Sequence, residues 1–211
     1  MPKPTKTRQR RDLTTEKIVE ATLTVLKSRD PSALTMRRVA EECGVSAMAI
    51  YHHVNDKDKL ATLAVDSIFL AAANAPIEGR NWKEQSINLW LNIRHGLLDT
   101  PGAGLIFVRQ AILGPGTATA TERMFEILEQ SGLPDDAIAE ATDAMTMLSI
   151  GSIANELTRP PRVREDLGKQ LPDSETPLLL KNMQNYATRD GTERYCLAMT
   201  WLLDGVEQRS Q

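Results

Sequence analysis

Thr35, Arg37, Ser46, Tyr51, His52, His53 and Lys57 crowd into one short stretch of this 211-residue chain. They offer hydroxyl, guanidinium, phenol, imidazole and ammonium groups, the equipment that hydrogen-bonds phosphate oxygens and base edges. Arg37 can meet either a guanine edge or a phosphate, and Lys57 is best placed for phosphate. Tyr51 either fills a core position or sends its hydroxyl outward. His52 and His53 are adjacent, so on a helix they point about 100° apart and do not readily chelate one metal; groove or backbone contact suits them better. Catalytic chemistry finds no comparable foothold. The sequence has no Gly-rich phosphate loop, no His-Glu-x-x-His, no Cys-x-x-Cys and no Gly-x-Ser-x-Gly. An enzyme would have to rely on scattered carboxylates, and no cofactor or metal is expected.

The elements that must hold these groups can be read from periodicity. Met36, Val39, Ala40 and Cys43 fall at i, i+3, i+4 and i+7, one apolar face of a helix. Thr35 stands at its N-cap and Gly44 at the C′ position that takes positive φ. After Val45, Ser46 caps a second helix with Ala47, Ile50, Tyr51 and Val54 inward. Two short helices across a glycine turn predict a helix-turn-helix over 35–54, its second helix reading the major groove. A first helix is predicted from about Thr15 to Ser28, with Ile18, Ala21, Thr22, Val25 and Leu26 inward. A fourth should begin after Asn55 or Asp56, with Leu60, Leu63, Ala64 and Ile68 on one face.

Thr35-Met36-Arg37-Arg38-Val39-Ala40, Gly44-Val45-Ser46 and Ile50-Tyr51-His52-His53-Val54, followed by Asp56-Lys57-Asp58-Lys59-Leu60, resemble the DNA-binding region of TetR-type repressors. The match is specific over residues 13–65. It continues more weakly through Trp82, the Glu122–Leu133 segment and Pro177-Leu178-Leu179-Leu180. The resemblance implies an all-helical homodimer that leaves double-stranded operator DNA when a small molecule enters its core. It places Thr35, Arg37, Ser46, Ala47, Met48, Ala49, Tyr51, His52, His53 and Lys57 among the DNA-contacting residues, and it favours contact for Tyr51. Ala47, Met48 and Ala49 fall at base-reading positions without hydrogen-bonding side chains, which implies readout through methyl contacts. The magnesium-ligating histidine of tetracycline-binding members falls at Phe107. Their drug-contacting asparagine and another histidine fall near Leu89 and Ala73. These losses argue against a metal–tetracycline inducer and for a largely apolar or aromatic one.

The net charge of −3 hides a division: residues 1–60 carry +4 and the remainder −7. A basic head on an acidic body turns the head toward phosphate. Residues 1–11 hold five cations and no acid, and read either as a solvated tail or as an arm for the minor groove or backbone. No apolar run nears the ~20 residues of a membrane span, and the basic start lacks a secretory apolar segment. Cys43 and Cys196 read as two reduced core thiols in a cytoplasmic protein.

Proline and glycine cut the remainder into helix-length pieces without strand-like alternation, so the fold class is all-α. Helices are predicted near 82–99, 103–113, 118–131, 135–158, 176–188 and 190–208, with a charged, proline-rich loop over 158–176. Three divisions are expected: a flexible basic tail over 1–11, a three-helix DNA-binding domain over 12–60, and a helical ligand-binding and dimerisation core over 61–211. Ala137, Ala141, Ala144 and Leu148, with Met199, Leu202 and Val206, form stripes on two helices that are apolar on more than one side. They read either as a deeply buried pair or as a four-helix dimer interface. Trp90, Ile93, Leu97, Phe107, Gln110 and Met147 can line an inducer pocket or belong to plain core. Gly102, Gly104, Gly114 and Gly116 bracket the 103–113 helix and make it the expected moving part. A constitutive DNA-binding protein whose core only dimerises is the competing reading.

Overall fold

The computed structural model describes residues 13–158, 178, 181, 182 and 189–209. The basic tail, most of the 158–176 loop and most of the 176–188 segment, including Pro177, Leu179 and Leu180, lie outside them. The described residues hold α-helices and one 3-10 turn, with no strand among them. None of their helices is long and apolar enough to cross a membrane.

Four short elements build the head, each started by a side chain that satisfies an orphan amide. Thr14 caps α1 (Thr15–Leu26) by accepting from Lys17 N at 3.4 Å. Thr35 caps α2 (Met36–Glu42) through Arg38 N at 3.1 Å, and Ser46 caps α3 (Ala47–Tyr51) through Ala49 N at 3.3 Å. A 3-10 turn over Pro31–Ala33, capped by Asp30, delivers buried Leu34 ahead of α2. Between α2 and α3, Gly44 takes φ 67°, where a Cβ would strain the turn. Ile18, Leu26, Leu34, Val39 and Ile50 are at most 1% exposed and form the head's centre.

Helix α4 (Lys57–Asn74) starts at Asp56, whose carboxylate accepts from Lys59 N at 2.7 Å. It runs unbroken past residue 60, the expected domain boundary, and contacts α1 on one side and α5, α6 and α7 on another. The body adds α5 (Trp82–Asp99), α6 (Pro101–Arg109), α7 (Pro115–Glu129), α8 (Asp135–Thr158) and α9 (Gly191–Arg209). Pro101 and Pro115 open α6 and α7 at positions where a missing N–H costs nothing. Helices α6 and α7 start a little earlier than periodicity predicts, because each proline is a first-turn residue and not a break before it.

Two polar clasps fasten the layers. Arg94 of α5, 1% exposed, bonds Glu156 at 2.5 Å and Ser152 at 3.2 Å on α8, and Thr192 at 3.3 Å on α9. Lys83 of α5 reaches Asp204 at 2.5 Å and Glu207 at 2.7 Å on α9, and these carboxylates hold its pKa above the usual lysine value. Ser149 gives its proton to Met145 O at 2.7 Å. The 2.7 Å contact with Tyr195 therefore has the phenol as donor, and burial pushes that phenol's pKa well up.

Candidate nucleic-acid interface and ligand cavity

The head presents one polar face. Thr35, Arg37, Ser46, His52, His53 and Lys57 are exposed, Met48 is 64% and Tyr51 48% exposed, and Ala47 and Ala49 are half-buried. Tyr51 therefore departs from the inward face expected for α3, whose buried members are Ile50 and, beyond its end, Val54. Half-buried Ala47 packs against the same core, so the short helix meets the expected inward face at every position but Tyr51. Arg37 pairs with Glu41 at 2.8 Å, but with side chains 87% and 61% exposed the pair is weak and easily exchanged for another anion. The cap bonds of Thr35 and Ser46 use only their oxygen lone pairs, so both hydroxyl protons remain available. Cys43 is half-buried against the head's core, and burial raises its pKa, which keeps it a thiol.

In the body, a cavity of about 420 Å³ lies among five helices, within the range of small-molecule sites. Phe69 of α4, Trp90 and Ile93 of α5 and Phe107 of α6 give it an aromatic and aliphatic floor. Phe69 and Phe107 stand 5.3 Å apart, and Phe69 meets Trp90 edge-on at 6.5 Å. Arg109 and Gln110, at the C-terminal end of α6, are exposed and border the space. Thr117, Ala120, Thr121 and Met124 of α7 and Thr142, Thr146 and Ile150 of α8 complete it.

Four of the six residues expected in a pocket meet here: Trp90, Ile93, Phe107 and Gln110. Leu97 does not; it is wholly buried one turn beyond Ile93, and its carbonyl lies against Gly104 of α6. Met147 is 64% exposed and lies outside the cavity wall, because the cavity stripe of α8 is Thr142, Thr146 and Ile150, at steps of four. Those threonines, with Thr117 and Thr121, were missed. Their signal was a hydroxyl repeated one turn on inside otherwise apolar stretches.

Asp66 was missed as well. It sits in the apolar face of α4, 7% exposed, and its carboxylate accepts from Gly116 N at 2.9 Å and Thr117 N at 2.7 Å. A buried acid from the helix of the reading head thus caps the helix that carries four cavity residues. Gly116 lies so close to the Asp66 backbone that no Cβ fits. The four bracketing glycines are places of tight packing: a Cβ at Gly102 would sit 2.7 Å from Leu26 O of α1. Close packing is thus a sufficient reason for glycine at these positions.

The dimer stripes also shift. Ala141 and Met199 are fully buried within their own chain. Ala137, Leu148, Leu202 and Val206 are part-buried against the same core, and Ala144 is half-buried. The inward sector of α8 is wide because the helix packs on α5, α6, α7 and α9 at once. What faces outward is Met147 with Gly151 on α8, and Trp201, 67% exposed, with Gly205 on α9.

Known proteins share this architecture. Residues 18–63 match the bacterial regulatory proteins of the tetR family, and residues 75–210 match the tetracyclin repressor-like C-terminal domain. An HTH-type transcriptional regulator of Saccharopolyspora erythraea is 30% identical over 145 residues, 68% of this chain and 61% of that protein. The HTH-type transcriptional repressor DrrR1 of Streptomyces coeruleorubidus is 27% identical over 164 residues, 74% of this chain and 56% of its own. The chain thus spans about three fifths of the length of these relatives. Apo ActR from Streptomyces coelicolor superposes with a TM-score of 0.79 at 26% identity, covering 93% of this chain and 95% of its own. ActR, a TetR family protein, is also solved with (S)-DNPA, with a TM-score of 0.77 at 26% identity, covering 92% of this chain and 96% of its own.

Proposed function

The chain belongs to the tetR family of bacterial regulatory proteins, and on that premise we propose that it is a cytoplasmic repressor released from DNA by a small aromatic compound. The family consists of transcriptional regulators, not enzymes. As a homodimer it binds a palindromic operator, each subunit laying α3 in the major groove. Met48, with Ala47 and Ala49, reads thymine methyls, while Arg37, Tyr51, His52, His53 and Lys57 take phosphates or base edges. Thr35 and Ser46 donate to phosphate with the protons their caps leave free. Residues 12–60 serve as the reading domain and 61–211 as the ligand-binding and dimerisation domain, with α4 shared. The dimer forms through α8 and α9, which leave the large apolar side chains of Met147 and Trp201 exposed.

One observation carries the ligand-responsive part: the helix that starts beside the reading helix places Phe69 in the cavity wall and Asp66 on the α7 N-terminus. A guest that displaces α7 or Phe69 acts on α4 directly, and so on the spacing of the two reading heads. That ActR, of the same family, is solved in complex with (S)-DNPA supports a response to a small molecule. Reciprocal linkage requires that whatever factor the ligand costs the operator, the operator costs the ligand. Selection of operators from random DNA, followed by footprinting, tests this. The expected site is a palindrome with half-sites about one or more helical turns apart; an asymmetric footprint overturns the reading.

A further inference from the structure

The polar groups of the cavity are sorted by hydrogen-bonding role. On α8, Thr142 donates its hydroxyl proton to Ile138 O and Thr146 donates to Thr142 O, both at 2.9 Å. On α7, Thr121 donates to Thr117 O at 2.9 Å, and Thr117 donates to Gly114 O at 3.0 Å while accepting from Gly114 N. A hydroxyl has one proton and two lone pairs. All four protons are committed to main-chain carbonyls, so these threonines have only lone pairs left to offer a guest. Such back-bonding is ordinary on helices, and Thr22 and Thr24 show it away from the cavity. At a cavity wall it has a chemical consequence: the α7–α8 wall accepts and does not donate.

Donors stand on α6. Arg109 is exposed at the cavity margin, and none of the ion pairs among the described residues engages it. Gln110 follows it. Trp90 lines the floor, but its indole nitrogen is fully shielded, so it presents no donor at the cavity surface. The cavity therefore combines an aromatic floor, an accepting wall and a free guanidinium.

Granted the reading of this cavity as the inducer site, on which it rests, we infer that the ligand is a hydroxylated aromatic acid. Its phenolic O–H groups donate to Thr142 or Thr146, its rings lie on Phe69, Trp90 and Phe107, and its carboxylate meets Arg109. A phenol offers the proton that the wall lacks. A methyl ether at the same position brings a lone pair against a lone pair, or forces a threonine to give up its carbonyl. A carboxylate finds in Arg109 a charge-assisted partner of matching fork geometry.

Calorimetric titration of the full chain with four matched probes tests this: 6-hydroxy-2-naphthoic acid, 6-methoxy-2-naphthoic acid, 2-naphthoic acid and 2-naphthol. The hydroxy acid should bind about fivefold or more tightly than the methoxy acid, the worth of roughly one net hydrogen bond. The advantage should vanish in the Thr142→Val/Thr146→Val double variant and return in Thr142→Ser/Thr146→Ser. Its advantage over 2-naphthol should vanish in Arg109→Gln. A methoxy acid that binds as well as the hydroxy acid, a naphthol that binds as well as the acid, or no binding by any of the four overturns the inference. Ala120→Trp, with Thr121→Trp as the variant of lower folding risk, separates the two levels. If filling the cavity abolishes binding but the ranking is absent, only the ligand chemistry fails. If the acids bind the filled variants unchanged, they sit elsewhere, and the assignment of the cavity fails with it.

Discussion

Lys57 and Arg37 are both exposed cations of the head, yet the proposed reading gives them different work. Lys57→Ala should weaken binding to all DNA sequences alike and lower the log–log salt slope by about one unit, as loss of one phosphate contact does. Arg37→Ala, if Arg37 meets a guanine, should cost ~1–3 kcal/mol on the correct site and relax preference at one base pair. Identical behaviour across a randomised operator library would defeat the distinction. Asp66→Ala removes a buried carboxylate from two main-chain donors and should cost about 2–4 kcal/mol in chemical denaturation; Asp66→Asn, which keeps one acceptor, should lose less. The head's residues were legible because caps and apolar spacing fall close together in sequence. Asp66 was not, since its partners lie fifty and fifty-one residues away and only the fold brings them together. Arg94 was hidden for the same reason: within α5 it reads as a surface cation, while Ser152, Glu156 and Thr192 meet it from two distant helices. Arg94→Met should destabilise by about 2–4 kcal/mol by leaving Glu156 without its partner.

At the scale of elements, the order of the helices among the described residues was readable from proline, glycine and period, and α1 to α5 lie close to their expected bounds. Which sector of each helix meets which neighbour was not. A stripe of Ala141 and Met199 is equally apolar whether it faces its own core or a second subunit, and the structure turns it inward. Met147, expected in a pocket, instead joins Trp201 on the outside. The cavity was half legible: α5 and α6 announce it with Trp90, Ile93 and Phe107, whereas α7 and α8 contribute threonines that look unremarkable in sequence. The outward pair gives a prediction of its own. Trp201→Glu should convert a dimer to a monomer in ultracentrifugation at micromolar concentration with helical circular dichroism retained, because the side chain is 67% exposed in the single chain and holds no core. A variant that remains dimeric would place the interface elsewhere.

For the whole molecule, a basic head and an acidic body meet along α4 without a flexible joint, and in the proposed reading this continuity makes sensing and reading one equilibrium. A ligand needs only to prefer the conformation in which the heads no longer match the operator; a coupling of ~1–3 kcal/mol changes operator affinity about 5- to 150-fold. The most direct measurement is operator affinity by fluorescence anisotropy, with and without a saturating cavity-binding aromatic acid, in the native chain and in Ala120→Trp. The account predicts that the acid weakens operator binding by at least about fivefold in the native chain, while the operator affinity of the filled variant, whatever its starting value, does not change when the acid is added. Native-chain affinity that does not change when the cavity is occupied would contradict it.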